Sequence, residues 1–372
     1  MTALTLPEIS CPLPYRIYPH VETLEAGTVA WMDKWRLYSD EKHRERLASI
    51  GCGRLGALMY PFAANADVAQ IMSDYIVWAF SFDDEYCDEG EMSENPPRSI
   101  TAMLQMQRSI ESPEIPAYPE NKFAMALRDI RLRLDKYTTP LHTTRFVNTQ
   151  RGYFMVEVGK LVNPQPTMSD CVLLRLSSGG GLVFPTLGHI STLVDISQLK
   201  MEDRRLCALT EMAGMMIVWE SDFFSYGKEL AREPEDRQHN IVSLFQQRRG
   251  VTHEQAMAQA FSLRDKTAGL YIRLRASVLK NASPEVAAYI ESLDCYWRGG
   301  LEWISENPRY RYLNGVDGQV AYQGGKLTET FPDDCWGTVD IPSISWWWQY
   351  EPAHAWSPPG TDPKQLPHLR RG

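Results

Sequence analysis

Long stretches of the sequence carry apolar residues at intervals of three and four positions, or at their sums. Two such stretches contain Phe123, Leu127, Ile130 and Leu134, and further along Ala256, Ala260, Leu263, Leu270 and Leu274. This spacing places the apolar side chains on one face of an α-helix. Alternating, strand-like patterns are nearly absent before residue 313, and prolines fall mostly between the periodic stretches. The sequence therefore predicts an all-α helical bundle.

Composition divides the chain into three parts. Residues 1–20 contain four prolines and predict an irregular N-terminal arm, and residues 21–312 form the helical domain. Residues 313–372 are rich in Trp and Pro, including Trp346, Trp347 and Trp348. So many tryptophans indicate that this segment packs partly on the helical domain, whereas its last dozen residues are expected to be disordered.

Charge, apolar stretches and cysteine content indicate which partners and which location to expect for the chain. The formal net charge of -9 disfavours nucleic acid or an anionic membrane surface as a partner, because both need clustered Lys and Arg. No stretch reaches the roughly 18 apolar residues of a membrane span, and the N-terminus lacks the features of a secretory signal. The seven cysteines are scattered without a C-x-x-C pair, which favours reduced thiols and a cytoplasmic location.

An acidic cluster follows the apolar helical stretch that ends near Phe80. It reads FDDEYCDEG and contains Asp83, Asp84 and Asp88. Carboxylates at the C-terminal end of a helix add to the negative end of its dipole, so this position favours a bound cation. Mg²⁺ is usually held by one or two carboxylates together with substrate phosphates. Alone, the cluster is equally consistent with a solvated acidic helix end.

A second constellation, SDFFSYGKE, lies in a later helical stretch. Ser221, Ser225 and Glu229 stand at i, i+4 and i+8, so their oxygen-bearing side chains share one helical face. Lys228 beside them carries a charge suited to a phosphate. Apolar and aromatic residues flank this stripe, which argues against ordinary polar surface because buried polar groups need partners.

Together the two motifs resemble the aspartate-rich motif and the Asn/Ser/Glu motif of class I terpene synthases, and the flanking sequence is similar to bacterial cyclases. The family's downstream marker is also present, as His239 and Asn240. The resemblance implies a single helical domain around a central apolar cavity. It implies an enzyme that ionises a linear isoprenyl diphosphate, most readily C15 farnesyl diphosphate, with three Mg²⁺ ions and cyclises the carbocation to a sesquiterpene. Relatives are often monomers or homodimers.

Residues matching the family's other diphosphate contacts are present. Arg175 resembles the arginine that senses the diphosphate, Ser178 takes the linker position and Gly179 the effector position; Arg309 and Tyr310 match the Arg-Tyr pair. By the same resemblance Asp83 bridges two ions, Asp88 is a weaker metal candidate, and Ser221, Ser225 and Glu229 hold the third ion. Lys228 joins Arg175, Arg309 and Tyr310 in gripping the diphosphate. Asp222 is expected to orient Arg175 or Arg309.

Three aromatic residues are candidates for the substrate-binding wall of the cavity: Phe80, Trp219 and Trp303. Their rings would stabilise a carbocation by cation–π contact, although core packing explains each of them equally well. Serine at position 221 departs from the family's usual asparagine and predicts a weaker grip on the third ion. Two further patterns, Asp333 with Asp334 and His253 with Glu254, are interpreted as surface features, since the latter lacks the second histidine of a zinc-protease motif.

Three alternatives stay open. The first is a diterpene synthase acting on C20 geranylgeranyl diphosphate. The second is a synthase that joins isoprenyl units. A chain-elongating isoprenyl diphosphate synthase would need a second aspartate-rich motif where SDFFSYGKE stands, and a squalene-type synthase would need a second D-x-x-x-D motif. The third is a non-catalytic isoprenoid-binding protein.

Overall fold

The computed structural model describes residues 3–88, 90, 92–162, 167–232, 239–332 and 335–352, except for the side chains of Asp88 and Arg232. In these residues the α-helices are α1 Val21–Trp35, α2 Glu41–Ser49, α3 Cys52–Met59, α4 Ala66–Asp83, α5 Pro96–Glu111, α6 Lys122–Leu134, α7 Pro140–Val162, α8 Met168–Ser177, α9 Val183–Ser191, α10 Gln198–Met201, α11 Arg204–Arg232, α12 Ile241–Arg249, α13 His253–Leu279, α14 Pro284–Glu306 and α15 Pro308–Arg311. Four short strands accompany them: β1 Leu4–Leu6, β2 Ile9–Ser10, β3 Tyr322–Gly324 and β4 Leu327–Thr328. The expected all-α fold is confirmed.

The core is built around α4, α11 and α14, whose apolar side chains point inward. Asn65 caps the start of α4 by accepting a hydrogen bond from the Val68 amide at 3.0 Å, which fixes where this helix begins. Trp78 and Phe82 on α4 are fully buried and stack with their ring centroids 5.3 Å apart. Helix α11 packs against both α13 and α14. These helices form the walls between which a site can lie.

The N-terminal arm is more regular than its proline content predicts. Strand β1 pairs in parallel with β3, with Leu4 opposite Tyr322, and β2 pairs in parallel with β4. Both partner strands lie more than 300 residues away in the sequence. A pairing of this kind depends on tertiary proximity and leaves no local pattern in either segment.

Part of the Trp-rich C-terminal segment packs on the helical domain. Trp347 is fully buried, and its indole Nε1 donates a hydrogen bond to Glu211 on α11 at 2.7 Å. The guanidinium of Arg204 lies 4.0 Å from the ring centroid of Trp346. The pair Asp333 and Asp334 and the last dozen residues, whose disorder the sequence predicts, fall outside the described residues.

One apolar stretch deserves comparison with a membrane span. Across the described ranges, Met168–Ser191 alone is long and apolar enough to qualify by length and composition. Its most apolar window is 56% buried inside the fold, and the helix is interrupted by a 3-10 turn at Ser178–Gly180. The interior helix of a globular domain satisfies the same criteria, so the stretch is weak evidence for a membrane span.

Candidate active site

The aspartate-rich motif lies where α4 changes its helical form. Helix α4 ends at Asp83, and the chain continues as a π-helical turn over Asp84–Asp88 before Gly90, whose amide donates to the Asp84 carbonyl at 3.0 Å. Single π-helical turns occur frequently at functional sites. The carboxylate of Asp83 lines a cavity in the centre of the helical bundle. Asp88 was the weaker metal candidate, and its side chain lies outside the described residues.

Asp84, the neighbour of Asp83, is held by cationic side chains. Its carboxylate accepts hydrogen bonds from Arg309 at 3.0 Å and Arg46 at 3.2 Å, and it lies 3.2 Å from Nε2 of His43. Burial of Asp84 opposes ionisation, but Arg309, His43 and Arg46 outweigh burial and hold the pKa of this carboxyl well below its usual range. Asp84 therefore anchors the Arg-Tyr pair to the aspartate-rich turn, a role that the sequence did not reveal.

Helix α11 supplies the opposite wall. Ser221, Ser225 and Glu229 all line the cavity, as their i, i+4, i+8 spacing predicts. The hydroxyl of Ser221 donates to the Val218 carbonyl at 2.8 Å, and the hydroxyl of Ser225 donates to Glu229 Oε1. The other Glu229 oxygen accepts from the Asn240 amide at 3.0 Å. Burial raises the pKa of Glu229 to about 7, and the nearby charge of Asp222 adds to this shift.

A helix break positions the arginine that the resemblance assigned to diphosphate sensing. Arg175 lies in the last turn of α8, where it donates to Ser178 Oγ at 2.9 Å and to the Asp222 carboxylate. The expected orienting role of Asp222 toward Arg175 therefore has a direct contact behind it. Gly179 lines the cavity with φ at 63°, a backbone conformation that glycine adopts without strain. Ser178 is fully buried behind the wall and contacts the site through Arg175.

The end of α14 carries the aromatic and Arg-Tyr residues to the cavity. The Ile50 carbonyl accepts hydrogen bonds from Trp303 Nε1 at 3.2 Å and from the Asn307 side chain at 2.7 Å, which fixes the junction between α14 and α15. The Trp303 ring centroid lies 5.5 Å from that of Phe80 and 5.8 Å from that of Tyr310. Arg309 lies over the Phe80 ring at 5.2 Å. Burial raises the pKa of Tyr310 to about 12, so its phenol stays protonated and able to donate.

The cavity has a volume of about 1020 Å³, and eleven of the sequence-predicted residues lie in its wall. They come from four stretches of the chain and are Phe80, Asp83, Arg175, Gly179, Ser221, Ser225, Lys228, Glu229, Trp303, Arg309 and Tyr310. Trp219 is fully buried in the core and is not among the residues that line the cavity. Its apolar neighbours in the sequence could not distinguish a cavity wall from the core.

Several lining residues were not anticipated. Glu157 and Lys160 on α7 and Arg46 on α2 also line the cavity, as does His239 of the downstream marker, to which the sequence assigned no role. The available signal for the α7 pair was two charged residues at i and i+3 among apolar neighbours, a weak pattern that exposed helix faces also show. Arg46 lies in a strongly charged helix and had no distinguishing signal.

Comparison with known proteins identifies the family. Residues 74–268, more than half of the chain, match the model described as terpene synthase family 2, C-terminal metal binding. A (+)-(1(10)E,4E,6S,7R)-germacradien-6-ol synthase from Streptomyces pratensis is 31% identical over 93% of this chain and 97% of its own. The chain belongs to the terpene synthase family. This terpene synthase is accordingly an enzyme of the lyase class, and the metal-binding description of its family implies a divalent metal.

Other relatives of this terpene synthase differ in what their names describe. A 4-epi-cubebol synthase that cyclises farnesyl diphosphate, from Streptosporangium roseum, is 25% identical over 82% of this chain and 92% of its own. A diterpene cyclase from a Streptomyces species is 25% identical over 93% of this chain and 96% of its own. Among solved structures, the ancestral SVS_A2 protein superimposes with a TM-score of 0.78 at 27% identity, covering 92% of this chain and 98% of its own.

Proposed function

We propose that this terpene synthase ionises farnesyl diphosphate in the described cavity and cyclises the carbocation to a sesquiterpene, releasing diphosphate. The observation that carries the proposal is the meeting of Asp83 on α4 with Ser221, Ser225 and Glu229 on α11 around one cavity. Relatives named for sesquiterpene products, one of them named as acting on farnesyl diphosphate, support the C15 substrate. A chain-elongating synthase would carry a second aspartate-rich motif on the wall where this chain has Ser221, Ser225 and Glu229.

The donor set fits Mg²⁺. Asp83 and Glu229 offer carboxylate oxygens, and Ser221 and Ser225 offer hydroxyl oxygens, all of them hard ligands. Within the described residues no group of three His, Cys, Asp or Glu side chains converges. By resemblance to the family we propose that three Mg²⁺ ions bind here. The carboxylates supply part of each ligand shell, and the hydroxyls and the substrate phosphates supply the rest. When bound, the metal withdraws charge from the departing diphosphate.

The protein's own groups hold and orient the diphosphate. Arg175, fixed by Asp222 and Ser178, presents its guanidinium from the break between α8 and α9. Arg309 is fixed from the other side by Asp84 at 3.0 Å, and arginine grips phosphate oxygens in two parallel bonds. Lys228 lines the same cavity. These cations stabilise negative charge where it develops, which is the main electrostatic contribution to such a reaction.

The rest of the wall protects the cation. Phe80 and Trp303 lie next to each other in the cavity wall, and Phe184, Ile217 and Leu55 add further apolar lining. A desolvated cation over an aromatic face is stabilised by about 2 kcal/mol. Exclusion of water keeps the cation from being quenched before ring closure.

All seven cysteines are free thiols, which supports the proposed cytoplasmic location.

The test is incubation of the purified enzyme with C10, C15 and C20 isoprenyl diphosphates and Mg²⁺, with mass spectrometry of the volatile products. The expected result is a C15 cyclic product from farnesyl diphosphate that disappears when the metal is chelated. A C20 cyclic hydrocarbon as the main product would favour the diterpene alternative, in line with the diterpene cyclase relative. Longer diphosphates would indicate chain elongation. Binding without release of diphosphate would indicate a non-catalytic isoprenoid-binding protein.

A further inference from the structure

Helix α7 brings a buried ion pair to the cavity between the two metal-binding walls. Lys160 Nζ lies 2.8 Å from Glu157 Oε2, and both residues line the cavity. The Glu157 side chain is 1% exposed, whereas 17% of the Lys160 side chain remains accessible. Lys160 is therefore open to the space that a substrate occupies.

Lys160 is electrostatically coupled to both walls. Burial lowers the pKa of its amine, but the carboxylates of Glu157 and Asp83, together with the nearby Cys87, outweigh burial and hold the pKa above its ordinary value. Its positive charge also acts on Asp222 of α11. A permanently charged ammonium thus lies within range of Asp83 on one wall and of Asp222 on the other.

The surroundings of this ion pair are incomplete. Glu157 Oε1 is buried without a hydrogen-bond partner among the described residues, and so is Nε2 of the neighbouring His239. Glu157 Oε2 already receives Lys160 and, at 3.4 Å, the thiol of Cys87 in the aspartate-rich turn. Buried polar atoms are almost always paired, so the unpaired His239 Nε2 points to an acceptor on a ligand, such as a phosphate oxygen, whereas Glu157 Oε1 is itself an acceptor and needs a donor such as water.

We propose that Lys160 is a further diphosphate-binding residue, which contacts the leaving group from α7 while Glu157 holds its side chain in position. The inference rests on the proposed function, because it assigns an additional contact to the same substrate. A terminal oxygen of the diphosphate takes one of the three ammonium protons as a hydrogen bond, and Glu157 keeps another. Lys160 thereby adds a cation on the side of the site that neither motif supplies.

A purely structural pair is the competing explanation. In that case Lys160 would serve only to neutralise Glu157, and its loss would destabilise the fold without altering the affinity for diphosphate. The two explanations are separated by measuring binding of inorganic diphosphate directly.

The experiment is isothermal titration calorimetry with inorganic diphosphate at saturating Mg²⁺, together with thermal melts. Lys160→Met is expected to raise the Kd for diphosphate about tenfold, as loss of a charge-assisted hydrogen bond predicts. Lys160→Arg is expected to stay within about threefold of the wild type. Lys200→Met is the matched control, because Lys200 pairs with Glu285 on the surface and does not line the cavity.

Lys160→Met alone leaves the Glu157 charge buried without its partner and could destabilise the fold. A double variant, Glu157→Gln with Lys160→Met, removes both charges and so avoids this effect. It is expected to melt near the wild-type temperature and still to bind diphosphate about tenfold more weakly. Wild-type affinity in folded Lys160→Met or in the double variant would overturn the inference and leave the proposed function intact. Failure of the wild type itself to bind diphosphate with Mg²⁺ would overturn the proposed function, and this inference with it.

Discussion

The two walls of the cavity carry similar oxygen ligands in opposite electrostatic settings. At the end of α4, Asp84 beside Asp83 is contacted by Arg309, Arg46 and His43. On α11, the oxygens of Glu229 accept hydrogen bonds from the neutral Ser225 hydroxyl and Asn240 amide. Asp84 at the first wall is thus compensated by the protein's own cations, whereas Glu229 at the second has neutral hydrogen-bond partners, and we propose that a bound Mg²⁺ compensates its charge.

The pKa shifts follow this difference. Cationic neighbours outweigh burial at Asp84 and keep its pKa low, but burial dominates at Glu229 and raises its pKa to about 7. Removing the Asp84 carboxylate should therefore destabilise the fold, whereas removing the Glu229 carboxylate should spare it. Each prediction below tests or refines that contrast.

The largest effect is expected for Asp84→Asn. This variant leaves the largely enclosed Arg309, whose side chain is 14% exposed, without its carboxylate, so we expect about 3 kcal/mol lower free energy of unfolding in urea. Asp83→Asn is the matched control: it should lose less stability than Asp84→Asn, because Asp83 lines the cavity, and it should lose at least about 100-fold in turnover, because it removes a proposed metal ligand. Equal stability of the two variants would show that the protein does not compensate the first wall as described.

Glu229→Gln probes the second wall. We expect the metal-free variant to be at least as stable as the wild type, because an amide is cheaper to bury than a carboxylate. Mg²⁺ with diphosphate should raise the melting temperature of the wild type but not of the variant, and turnover should fall about 100-fold. A variant that melts well below the metal-free wild type would contradict the proposed dependence on an external cation.

Part of the loss of folding stability in acid arises at His189, which lies on neither wall, and it must be distinguished from effects of pH on the walls themselves. Burial, with His142 and Arg145 nearby, lowers the pKa of His189 to about 3. The unfolded chain binds this proton below about pH 6.5 and the folded chain does not, so stability present above pH 6.5 is lost as the pH falls. We expect a loss of about 2 kcal/mol between about pH 6.5 and 5 in urea unfolding.

His189→Gln should remove the part of the acid loss that arises at His189, about 2 kcal/mol, and leave the part that arises at His239, whose pKa burial lowers to about 4. If the variant keeps the full wild-type dependence on pH, the acid loss arises elsewhere. Loss of activity in acid that persists in the variant can then be assigned to the walls of the cavity.

The smallest effect is expected for Ser221→Asn. The Ser221 hydroxyl is a smaller ligand than an amide oxygen and donates its proton to the Val218 carbonyl at 2.8 Å. We expect the concentration of Mg²⁺ that gives half-maximal activity to fall by roughly threefold in the variant, corresponding to under 1 kcal/mol. An unchanged or higher Mg²⁺ requirement would show that serine at this position does not weaken the second wall.

The sequence by itself determined the helical class and the two motifs, because both are local. Apolar periodicity follows from 3.6 residues per turn, and the i, i+4, i+8 spacing of Ser221, Ser225 and Glu229 fixes their common face before any tertiary contact forms. Asp83 at the end of an apolar helix was readable for the same reason.

Tertiary structure alone decided the partners of these residues. Asp84 meets Arg309 across 225 positions of sequence, Glu157 and Lys160 reach the cavity because α7 packs beside α8 and α9, and β1 finds β3 at the far end of the chain. Trp219 was wrongly predicted to line the cavity, because apolar neighbours are common to a core and to an apolar pocket. Local spacing specifies the face of a helix, but only packing of all the helices specifies what that face meets.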